Sequence, residues 1–566
     1  MAAERNTGVV LARPDVSVVR TVEGVWVGVG AASLTVKGGA AFELVSTLVD
    51  RADGSLTGAA LLDGLPQAAR PAAERLLGAL VAHGCVVLLD DPMSRHEDER
   101  GAAARQLVPH FSQLTKDPAA ALDRLVRTPL VLYGRPAWLD GLRTVLDAAP
   151  PRGARIVYRS TWQKRPAGRQ DAELVVVDAD GRPHEETVRI QDELLAGGVP
   201  HGVAGTVGGR YWILWSDDDT TGCWDCLHRY ARTWPHNATT APVPGGWAAA
   251  TLAQAAQSRL AGLPTGAALS LDPGTLAVKQ HPVWPFAGCR CGRAKQSPAA
   301  VDTHHEQAEP LVRRNIASPH DDPRRQDEDD RIVATLGRWT DELIGPFLGL
   351  DGEDAPQVPF GRALATVLVD TDGASRIHRV STATLSTREA VYQAALNAIE
   401  RCARPPGESG GPGLGAGWTE DEALYRALLR RTSQHPYGEG ELTEFALDGL
   451  GDDACARAAR YLKSAVARAT GRAPVRWTAT RLPNGLHLAR AHGADAVATE
   501  GLGACRAEAV CAALLRLVND DDVLVPLNPH FRTWPEVWRH ITKPHGVPAR
   551  HTVPFLGDQV RLVEVA

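Results

Sequence analysis

Four cysteines have the spacing of a metal site. Cys223 and Cys226 stand in GCWDCLH, and Cys289 and Cys291 stand in GCRCGRA. A C-x2-C pair and a distant C-x-C pair suit a closed tetrahedral zinc site, because each tight turn supplies two thiolates. Such a site leaves no coordination position for substrate, so we expect structural Zn²⁺. The alternative is a set of unpaired thiols, which is the expectation for the other cysteines: Cys85, Cys402, Cys455, Cys505 and Cys511.

The cysteine pairs lie in a segment, residues 107–293, in which strand and helix signals alternate. TPLVLYG (128–134) and AELVVVDAD (172–180) are apolar runs typical of buried strands, and GGWAAATLAQAAQSRLAGL (245–263) is typical of a helix. This alternation predicts an α/β domain with a parallel sheet that positions the two metal-binding turns.

The composition favours a multi-domain globular protein. With 566 residues the chain is too long for one core, and we expect three domains. A net charge of −6 gives no reason to expect nucleic acid as a partner. The sequence has no apolar run of membrane-spanning length and begins without the apolar core of a secretory signal, so we expect no membrane association. The odd number of cysteines argues against a disulfide framework and points to the cytoplasm.

Residues 1–91 form the first expected domain. Three short β-branched runs, at 16–22, 25–30 and 33–38, predict a meander of strands. Helical segments follow, one with Ser55 as its expected N-cap and one at 71–84, before a closing strand CVVLLDD. The pattern predicts a small winged-helix-like α+β domain.

This first domain resembles the PqqD-like domains that recognise precursor peptides in ribosomal-peptide modification systems. The resemblance rests on the strand meander, LTVKGGAAFELVSTL and ERLLGALVAHGCVV. It implies that a leader peptide adds as an extra strand beside the third strand of the meander and packs on the third helix. The implied peptide-binding residues are Ser33, Leu34, Thr35, Val36, Arg75, Leu76 and Ala79. A DNA-binding winged helix is the alternative, but the helix offers only Arg75 as a basic residue.

The segment 107–293 resembles the ThiF-like domains that stand beside azoline-forming enzymes. The resemblance rests on GVAGTVGGRYWILWSDDDTTGCWDCLHRYA and WPFAGCRCG, and it implies that the four cysteines bind the metal. Adenylating relatives need a Gly-rich turn after the first strand to hold ATP phosphates, whereas this chain has LYGRPAWLDG. We therefore expect no adenylation by this domain. Asp178 and Asp180 could bind a ribose or a metal, although surface solvation is the favoured interpretation.

Residues 332–566 contain the nearest approach to a catalytic motif. STATLSTREAVYQAALNAIERCAR (381–404) resembles the YcaO-type peptide cyclodehydratases, which use ATP to close a Cys, Ser or Thr side chain onto a backbone amide. Glu389, Glu400 and Arg401 are the candidate catalytic residues, because carboxylates on one helix face can hold Mg²⁺. Asn397 replaces an expected acid, and the similar segment at 498–520 lacks others.

Three interpretations of this third domain remain open. It is a degenerate domain that pairs with an active YcaO enzyme, which we favour, or it is a catalytic domain with an unusual site. In the simplest interpretation, Glu389, Glu400 and Arg401 form a solvated helix face. Residues 294–331, with His304 and His305, are expected to be a linker, and the Gly-rich segment 405–417 an irregular loop.

The expected fold class is thus multi-domain α/β: a winged-helix-like α+β domain, a zinc-containing ThiF-like α/β domain and a YcaO-like α+β domain. The resemblances imply a leader-peptide-binding scaffold of an azoline-forming cyclodehydratase, with ATP and Mg²⁺ bound by a separate YcaO partner. A flavin-dependent azoline dehydrogenase is a further implied partner, and a homodimer, heterodimer or heterotetramer all remain open. Alternatives are a self-sufficient cyclodehydratase, a ubiquitin-activating-like adenylating enzyme and a transcription regulator.

Overall fold

The chain divides into two compact units. A computed structural model describes residues 7–148, 150–163, 173–216, 222–233, 245–286, 289, 291, 323–352, 357–371, 374–404, 413–434, 441–451, 454–471, 474–493, 497–520, 522–527, 548–551, 553, 555–556, 559–560 and 561–565. The first unit comprises residues 1–218 and 238–280, and the second comprises residues 219–237 and 281–566. The segments that carry the four cysteines therefore group with the second unit. The expected three-domain boundaries stay predictions.

The N-terminal part of the first unit contains two small antiparallel sheets with helices between their strands. Its elements are β1 (Val9–Ala12), β2 (Ser17–Thr21), β3 (Gly24–Val29), β4 (Ala32–Lys37), α1 (Ala41–Arg51), β5 (Asp53–Thr57), α2 (Gly58–Asp63), α3 (Arg70–Ala82) and β6 (Val86–Leu89). The sheet orders are β2–β3–β4 and β5–β1–β6. Alternate residues of β3, Val25, Val27 and Val29, are buried in a core that α1 and α3 complete.

The predicted meander and closing strand are present, but strands β1 and β5 were not predicted from the sequence. The prediction of Ser55 as a helix N-cap was wrong, because Ser55 lies within β5. Thr57 caps α2 instead, and its hydroxyl accepts a hydrogen bond from the Ala60 N–H at 3.2 Å.

Alternating strands and helices continue along the chain to His281. The elements are α4 (Met93–Arg100), α5 (Ala104–Ser112), α6 (Pro118–Arg127), β7 (Leu130–Tyr133), α7 (Pro136–Leu146), β8 (Ile156–Arg159), β9 (Leu174–Asp178), α8 (His184–Ala196), β10 (His201–Val207), β11 (Arg210–Ser216), α9 (Trp224–Thr233), which belongs to the second unit, α10 (Gly245–Leu260), β12 (Ala268–Asp272) and β13 (Ala277–His281). The strands form one sheet in the order β13–β12–β11–β10–β9–β7–β8. The pairs among β8, β7, β9 and β10 are parallel, whereas β11 is antiparallel to both neighbours, so the sheet is mixed.

In the described part of the second unit, helices pack against three separate antiparallel sheets. Its elements are α11 (Pro323–Trp339), β14 (Phe347–Asp351), β15 (Gly361–Thr371), β16 (Ala374–Thr384), α12 (Thr387–Ala403), β17 (Gly413–Gly417), α13 (Glu420–Gln434), β18 (Thr443–Phe445), a 3-10 helix (Leu447–Leu450), α14 (Ala454–Thr470), β19 (Arg476–Arg481), β20 (His487–His492), β21 (Val497–Gly503), α15 (Arg506–Leu515), β22 (Ala549–His551) and β23 (Arg561–Val565). The sheet orders are β14–β15–β16, β18–β19–β20–β21 and β17–β23–β22.

Two segments that were expected to be irregular contain regular secondary structure. Helix α11 begins at Pro323, within the segment interpreted as a linker; residues 294–322, with His304 and His305, lie outside the described residues. Likewise, residues 413–417 of the expected Gly-rich loop form the buried strand β17, and residues 405–412 are not described.

The glycines of β17 explain this difference, because they let the strand lie directly on α13. A Cβ atom at Gly415 would lie 2.2 Å from the Ala423 carbonyl oxygen. The same contact recurs at β21, where a Cβ at Gly501 would lie 2.4 Å from the Ala509 carbonyl oxygen. Here glycine marks close backbone approach, and the strand is stabilised by its pairing with β23.

Three helices of the second unit share one N-terminal pattern. The paired positions are Ser386 and Glu389 in α12, Thr419 and Glu422 in α13, and Cys505 and Glu508 in α15. The Ser386 and Thr419 hydroxyls each accept the N–H of the glutamate three residues later, at 3.2 Å. The three glutamates are buried.

We predict that Gly415→Ala destabilises the second unit. The added methyl group collides with the α13 backbone, so the free energy of unfolding should fall by roughly 1–3 kcal/mol. Gly449→Ala is the matched control, since a Cβ at Gly449 would have no atom within 4 Å. Urea denaturation of both variants provides the measurement. Equal midpoints for the two variants would contradict the close packing of β17 on α13.

Candidate functional site

The four predicted ligand cysteines come together in one cluster. Their sulfur atoms all lie within 4.8 Å of one another. The Cys223 Sγ is 3.6 Å from the Cys226 Sγ and 3.5 Å from the Cys289 Sγ, and the Cys226 and Cys291 sulfurs are 3.3 Å apart. Among the described residues, this is the one group of three or more potential ligands with metal-binding geometry.

Local backbone contacts hold the two cysteine pairs together. Gly222 precedes the first pair, and its N–H donates to the Val283 carbonyl at 2.9 Å. A Cβ at Gly222 would lie 2.6 Å from the Trp284 carbonyl oxygen, so only glycine fits there without movement. The Phe286 N–H donates to the Cys226 sulfur at 3.1 Å, which orients this ligand from the side of the second pair.

The cluster fits a zinc ion. A tetrahedral site with Zn–S bonds of about 2.3 Å places its sulfurs about 3.8 Å apart, close to the distances in this cluster. Burial and the neighbouring thiols raise the pKa of Cys226 well above its usual value. A divalent cation would oppose this effect, because it stabilises thiolates directly. The four cysteines would hold such an ion as a structural link.

Asp225 and Arg229 extend this cluster outward. The Asp225 carboxylate is 3.2 Å from the Cys289 sulfur and accepts a hydrogen bond from the Arg229 Nε at 2.9 Å. The Arg229 guanidinium also lies 5.7 Å from the centre of the Phe286 ring. Arg229 thus neutralises the carboxylate that lies against the cluster and holds it in place.

We predict that Cys289→Ser abolishes zinc binding and lowers the melting temperature, because three thiolates no longer close the site. Elemental analysis and thermal unfolding provide the measurements. Cys505→Ser is the control: its sulfur is outside the cluster, and serine suits the N-cap of α15. It should retain the zinc content of the unmodified chain. Full zinc content in Cys289→Ser would show that this residue is not a ligand.

Protein atoms fill the turn after β7, where an adenylating relative would hold phosphate. A Cβ at Gly134 would lie 2.3 Å from the Trp138 ring and 2.8 Å from the Asp178 Cβ. The Arg135 N–H and Nε both donate to the Asp178 carboxylate, at 3.1 and 2.7 Å. This turn therefore lacks both the space and the available N–H group of a phosphate-binding loop.

The favoured interpretation of Asp178 and Asp180 as solvated surface acids was wrong for Asp178. Asp178 is fully buried and forms the ion pair with Arg135. Asp180 accepts hydrogen bonds from the Thr206 N–H and hydroxyl, at 2.7 and 3.1 Å. Both acids stabilise the strand ends.

Five polar side chains join α12 and α13 along their length, and we call them the polar ladder: Gln393, Asn397 and Glu400 from α12, with Arg426 and Arg430 from α13. The Arg426 Nη1 donates to the Gln393 Oε1 at 2.6 Å, and the Arg430 Nη2 donates to the Asn397 Oδ1 at 2.8 Å. In both pairs the arginine follows its partner by 33 residues. Because this offset is constant along the helices, α12 and α13 run side by side in the same direction.

Glu400 terminates the polar ladder and binds both arginines. Its Oε1 accepts from the Arg426 Nε at 2.6 Å, and its Oε2 accepts from the Arg430 Nε at 2.9 Å and also from the Arg430 Nη2. Glu400 is 1% exposed, and Arg426 is fully buried. Burial alone would raise the pKa of Glu400, but the charges of Arg426 and Arg430 outweigh it and lower that pKa below its usual value.

The structure does not bring the three candidate catalytic residues together. Glu389 and Glu400 are eleven residues apart on one helix, about 16 Å at 1.5 Å per residue. Arg401 is partly exposed and lies 4.0 Å from Asp522. The interpretation of a solvated helix face was also wrong, because Glu389 and Glu400 are buried. Glu400 does not fit a Mg²⁺ site, since both of its oxygens already bind guanidinium groups.

Glu422 and Glu508 are buried carboxylates that accept hydrogen bonds from neighbouring elements. The sequence analysis did not predict this structural role. Glu422 accepts from the Tyr392 hydroxyl at 2.6 Å and from the Trp418 N–H at 2.9 Å. Glu508 accepts from the Tyr425 hydroxyl and the Ala504 N–H, both at 2.9 Å. The repeated pattern of a capping residue followed three positions later by glutamate was the available sequence signal.

We predict that Glu400→Gln lowers the free energy of unfolding by about 3–5 kcal/mol, because it leaves two buried guanidinium groups without a compensating charge. Asp330→Asn is the control. Asp330 pairs with Arg388 but is 62% exposed, so its loss should cost less than about 1 kcal/mol. Chemical denaturation compares the two variants. A similar small loss in both would show that Glu400 carries little of the stability.

The same variant has a defined pH dependence. Because the folded pKa of Glu400 is lowered, its stabilisation is complete above the unfolded pKa and is lost as pH falls through the folded pKa. The stability difference between the unmodified chain and Glu400→Gln should therefore shrink in acid. Denaturation at a series of acidic pH values measures it. A difference that grows in acid would contradict the lowered pKa.

The expected peptide-binding strand is an edge strand. Within the described part of the chain, β4 pairs only with β3. The Gly38 N–H donates to the Glu23 carbonyl at 2.8 Å, which identifies the pairs that exchange hydrogen bonds. Because such pairs alternate, the N–H groups of Ser33 and Thr35 point away from β3. These groups could pair with an added strand.

The other predicted peptide-binding residues lie beside one core. Leu34 and Val36 of β4 and Leu76 of α3 are half-buried and pack against the same cluster. Arg75 and Ala79 lie on the outer part of α3, where Arg75 is exposed and Ala79 half-buried. Peptide binding by these seven residues stays a prediction.

Comparisons with solved structures identify the fold. A heterocyclase in complex with substrate and cofactor aligns with a TM-score of 0.61 and 12% identity, covering 99% of this chain and 94% of that chain. The heterocyclase TruD aligns with a TM-score of 0.53 and 13% identity over the same shares. The chain has a heterocyclase fold. No family model matches the sequence, and the comparison with curated proteins found no match. The likeness to E. coli MccB, with a TM-score of 0.35, is too low to support an argument.

Proposed function

We propose that the chain is the leader-peptide-binding scaffold of an azoline-forming peptide cyclodehydratase. The heterocyclase fold supports this class of function. The observation that carries the proposal is the edge of β4, which offers outward N–H groups beside the half-buried side chains of Leu34, Val36 and Leu76. A leader peptide would add to this edge as an antiparallel or parallel strand, with its alternate side chains against the apolar residues.

The metal centre contributes structure to this function. Cys223, Cys226, Cys289 and Cys291 would hold the zinc ion, whose chemistry is to join two distant chain segments. A closed site of this kind activates no water and binds no substrate.

We assign the ATP-dependent step to a separate YcaO partner. The polar ladder supports this assignment, because arginines bind Glu400 where a Mg²⁺–nucleotide site would need available carboxylates. The degenerate C-terminal domain would form the docking surface for that partner, and the peptide held by the N-terminal domain would reach the partner at high effective concentration. The products would be thiazolines or oxazolines on the way to thiopeptides or linear azole peptides, with a flavin-dependent dehydrogenase as a later partner.

We predict that Thr35→Pro weakens leader-peptide binding roughly tenfold or more, because it removes one outward N–H and places a ring at the strand edge. The ladder to β3 stays intact, since that N–H does not pair with β3. A labelled leader peptide, taken from a precursor peptide gene identified next to the gene for this chain, is titrated and followed by fluorescence anisotropy.

Arg20→Pro is the matched control for this experiment. Arg20 lies on β2, the opposite edge of the same sheet, and its N–H also points outward. Its ion pair with Glu43 is exposed and contributes little. Unchanged affinity in Thr35→Pro, or a loss confined to Arg20→Pro, would exclude β4 as the binding edge.

We also predict that the chain alone, with peptide, Mg²⁺ and ATP, releases no phosphate, whereas addition of the YcaO partner produces turnover and loss of water from the peptide. Phosphate release and peptide mass provide the measurements. Turnover by the chain alone would instead establish a self-sufficient cyclodehydratase. Pyrophosphate exchange would establish an adenylating enzyme.

A further inference from the structure

Every side-chain acceptor oxygen of the polar ladder is already bound by an arginine. The Gln393 Oε1 and Asn397 Oδ1 each accept from one guanidinium group, and the two oxygens of Glu400 accept from both. Mg²⁺ and Ca²⁺ bind through such oxygens. A divalent cation could therefore enter only by displacing Arg426 or Arg430.

The remaining polar atoms of the ladder have the wrong character for a cation. The Arg426 Nη2 and Gln393 Nε2 are buried, and neither has a hydrogen-bond partner in the described part of the chain. Both are N–H donors, whose positive ends repel a cation and suit an oxygen acceptor such as water. One carboxylate and two guanidinium groups also leave the ladder with a positive charge.

We propose that Arg426 and Arg430 are permanent internal counter-ions, which close the interior between α12 and α13 to divalent cations and to the nucleotides that such cations carry. Each arginine is also bound by the backbone of segment 522–527. The Arg430 Nη1 donates to the Asp522 carbonyl at 2.9 Å, and the Arg426 Nη1 donates to the Leu524 carbonyl at 3.4 Å. Segment 522–527 thus holds the arginines in place, and release of Glu400 would require this segment to move.

The inference implies a latent cation site that appears when the arginines are removed. In Arg426→Met/Arg430→Met the acceptor oxygens of Gln393, Asn397 and Glu400 become available, while methionine preserves much of the buried volume. This double variant should unfold at a lower temperature than the unmodified chain. Millimolar Mg²⁺ or Ca²⁺ should raise its melting temperature, because ligands that bind only the folded state stabilise it.

Thermal unfolding of zinc-loaded, full-length protein tests this inference, with the triple variant Glu400→Gln/Arg426→Met/Arg430→Met as the matched control. The unmodified chain and the triple variant should show no shift with Mg²⁺, whereas the double variant should. A Mg²⁺-dependent shift in the unmodified chain that Glu400→Gln removes, or no shift in a folded double variant, would overturn the proposal.

A second measurement starts from the unmodified chain and does not require the double variant to fold. Calorimetric titration of the unmodified chain with Mg²⁺–ATP should give no binding that depends on Glu400. Saturable binding that Glu400→Gln abolishes would overturn the proposal, whereas binding that survives this substitution places the nucleotide outside the ladder, as proposed. The inference does not rest on peptide binding, so failure of the Thr35→Pro experiment would remove the leader-peptide proposal and leave this one unaffected.

Discussion

The ion pairs that neutralise one buried carboxylate, that of Glu400, organise the interior of the second unit. Glu400 keeps its charge while buried because Arg426 and Arg430 approach both of its oxygens. Those bonds set the register of α12 against α13, and the Ala416 N–H joins the same carboxylate from β17 at 2.9 Å. The strand, the two helices and the segment at 522–527 are therefore fixed by the same network of ion pairs and hydrogen bonds. Such a group favours one arrangement, because any slip of the helices would leave a charge unpaired.

The sequence predicted those features whose cause is local. The cysteine set follows from two short spacings, and the meander of β2, β3 and β4 follows from alternation and tight turns. The polar ladder could not be predicted in this way, because Arg426 and Arg430 come from a helix that follows a Gly-rich segment. The α12 sequence alone gives the positions of Gln393, Asn397 and Glu400, but their partners depend on how two helices pack. Composition also gave the wrong structure for residues 413–417, where glycine serves close packing.

Exposed and buried polar groups have opposite roles in the two units. In the N-terminal part of the first unit, the outward N–H groups of Ser33 and Thr35 lie on a strand edge, where a new partner can pair with them. In the second unit, carboxylates that a sequence comparison would associate with chemistry are bound by tyrosine hydroxyls, backbone N–H groups and arginines. The contrast separates N–H groups that a further strand can still pair with from carboxylates whose hydrogen bonds already stabilise the fold.

The division of the chain has a consequence for its synthesis and for its engineering. Residues 219–237 belong to the second unit, yet residues 238–280 return to the first before the chain enters the second again. Neither unit can therefore be completed until the ribosome has passed residue 280, and no single cut yields one whole unit. A chain that ends at residue 218 would lack β12 of the first unit, and a chain that begins at residue 281 would lack Cys223 and Cys226 of the second. The chain passes between the two units three times, after residues 218, 237 and 280. Either unit could be isolated only as a permuted or internally deleted chain whose ends lie at these three points.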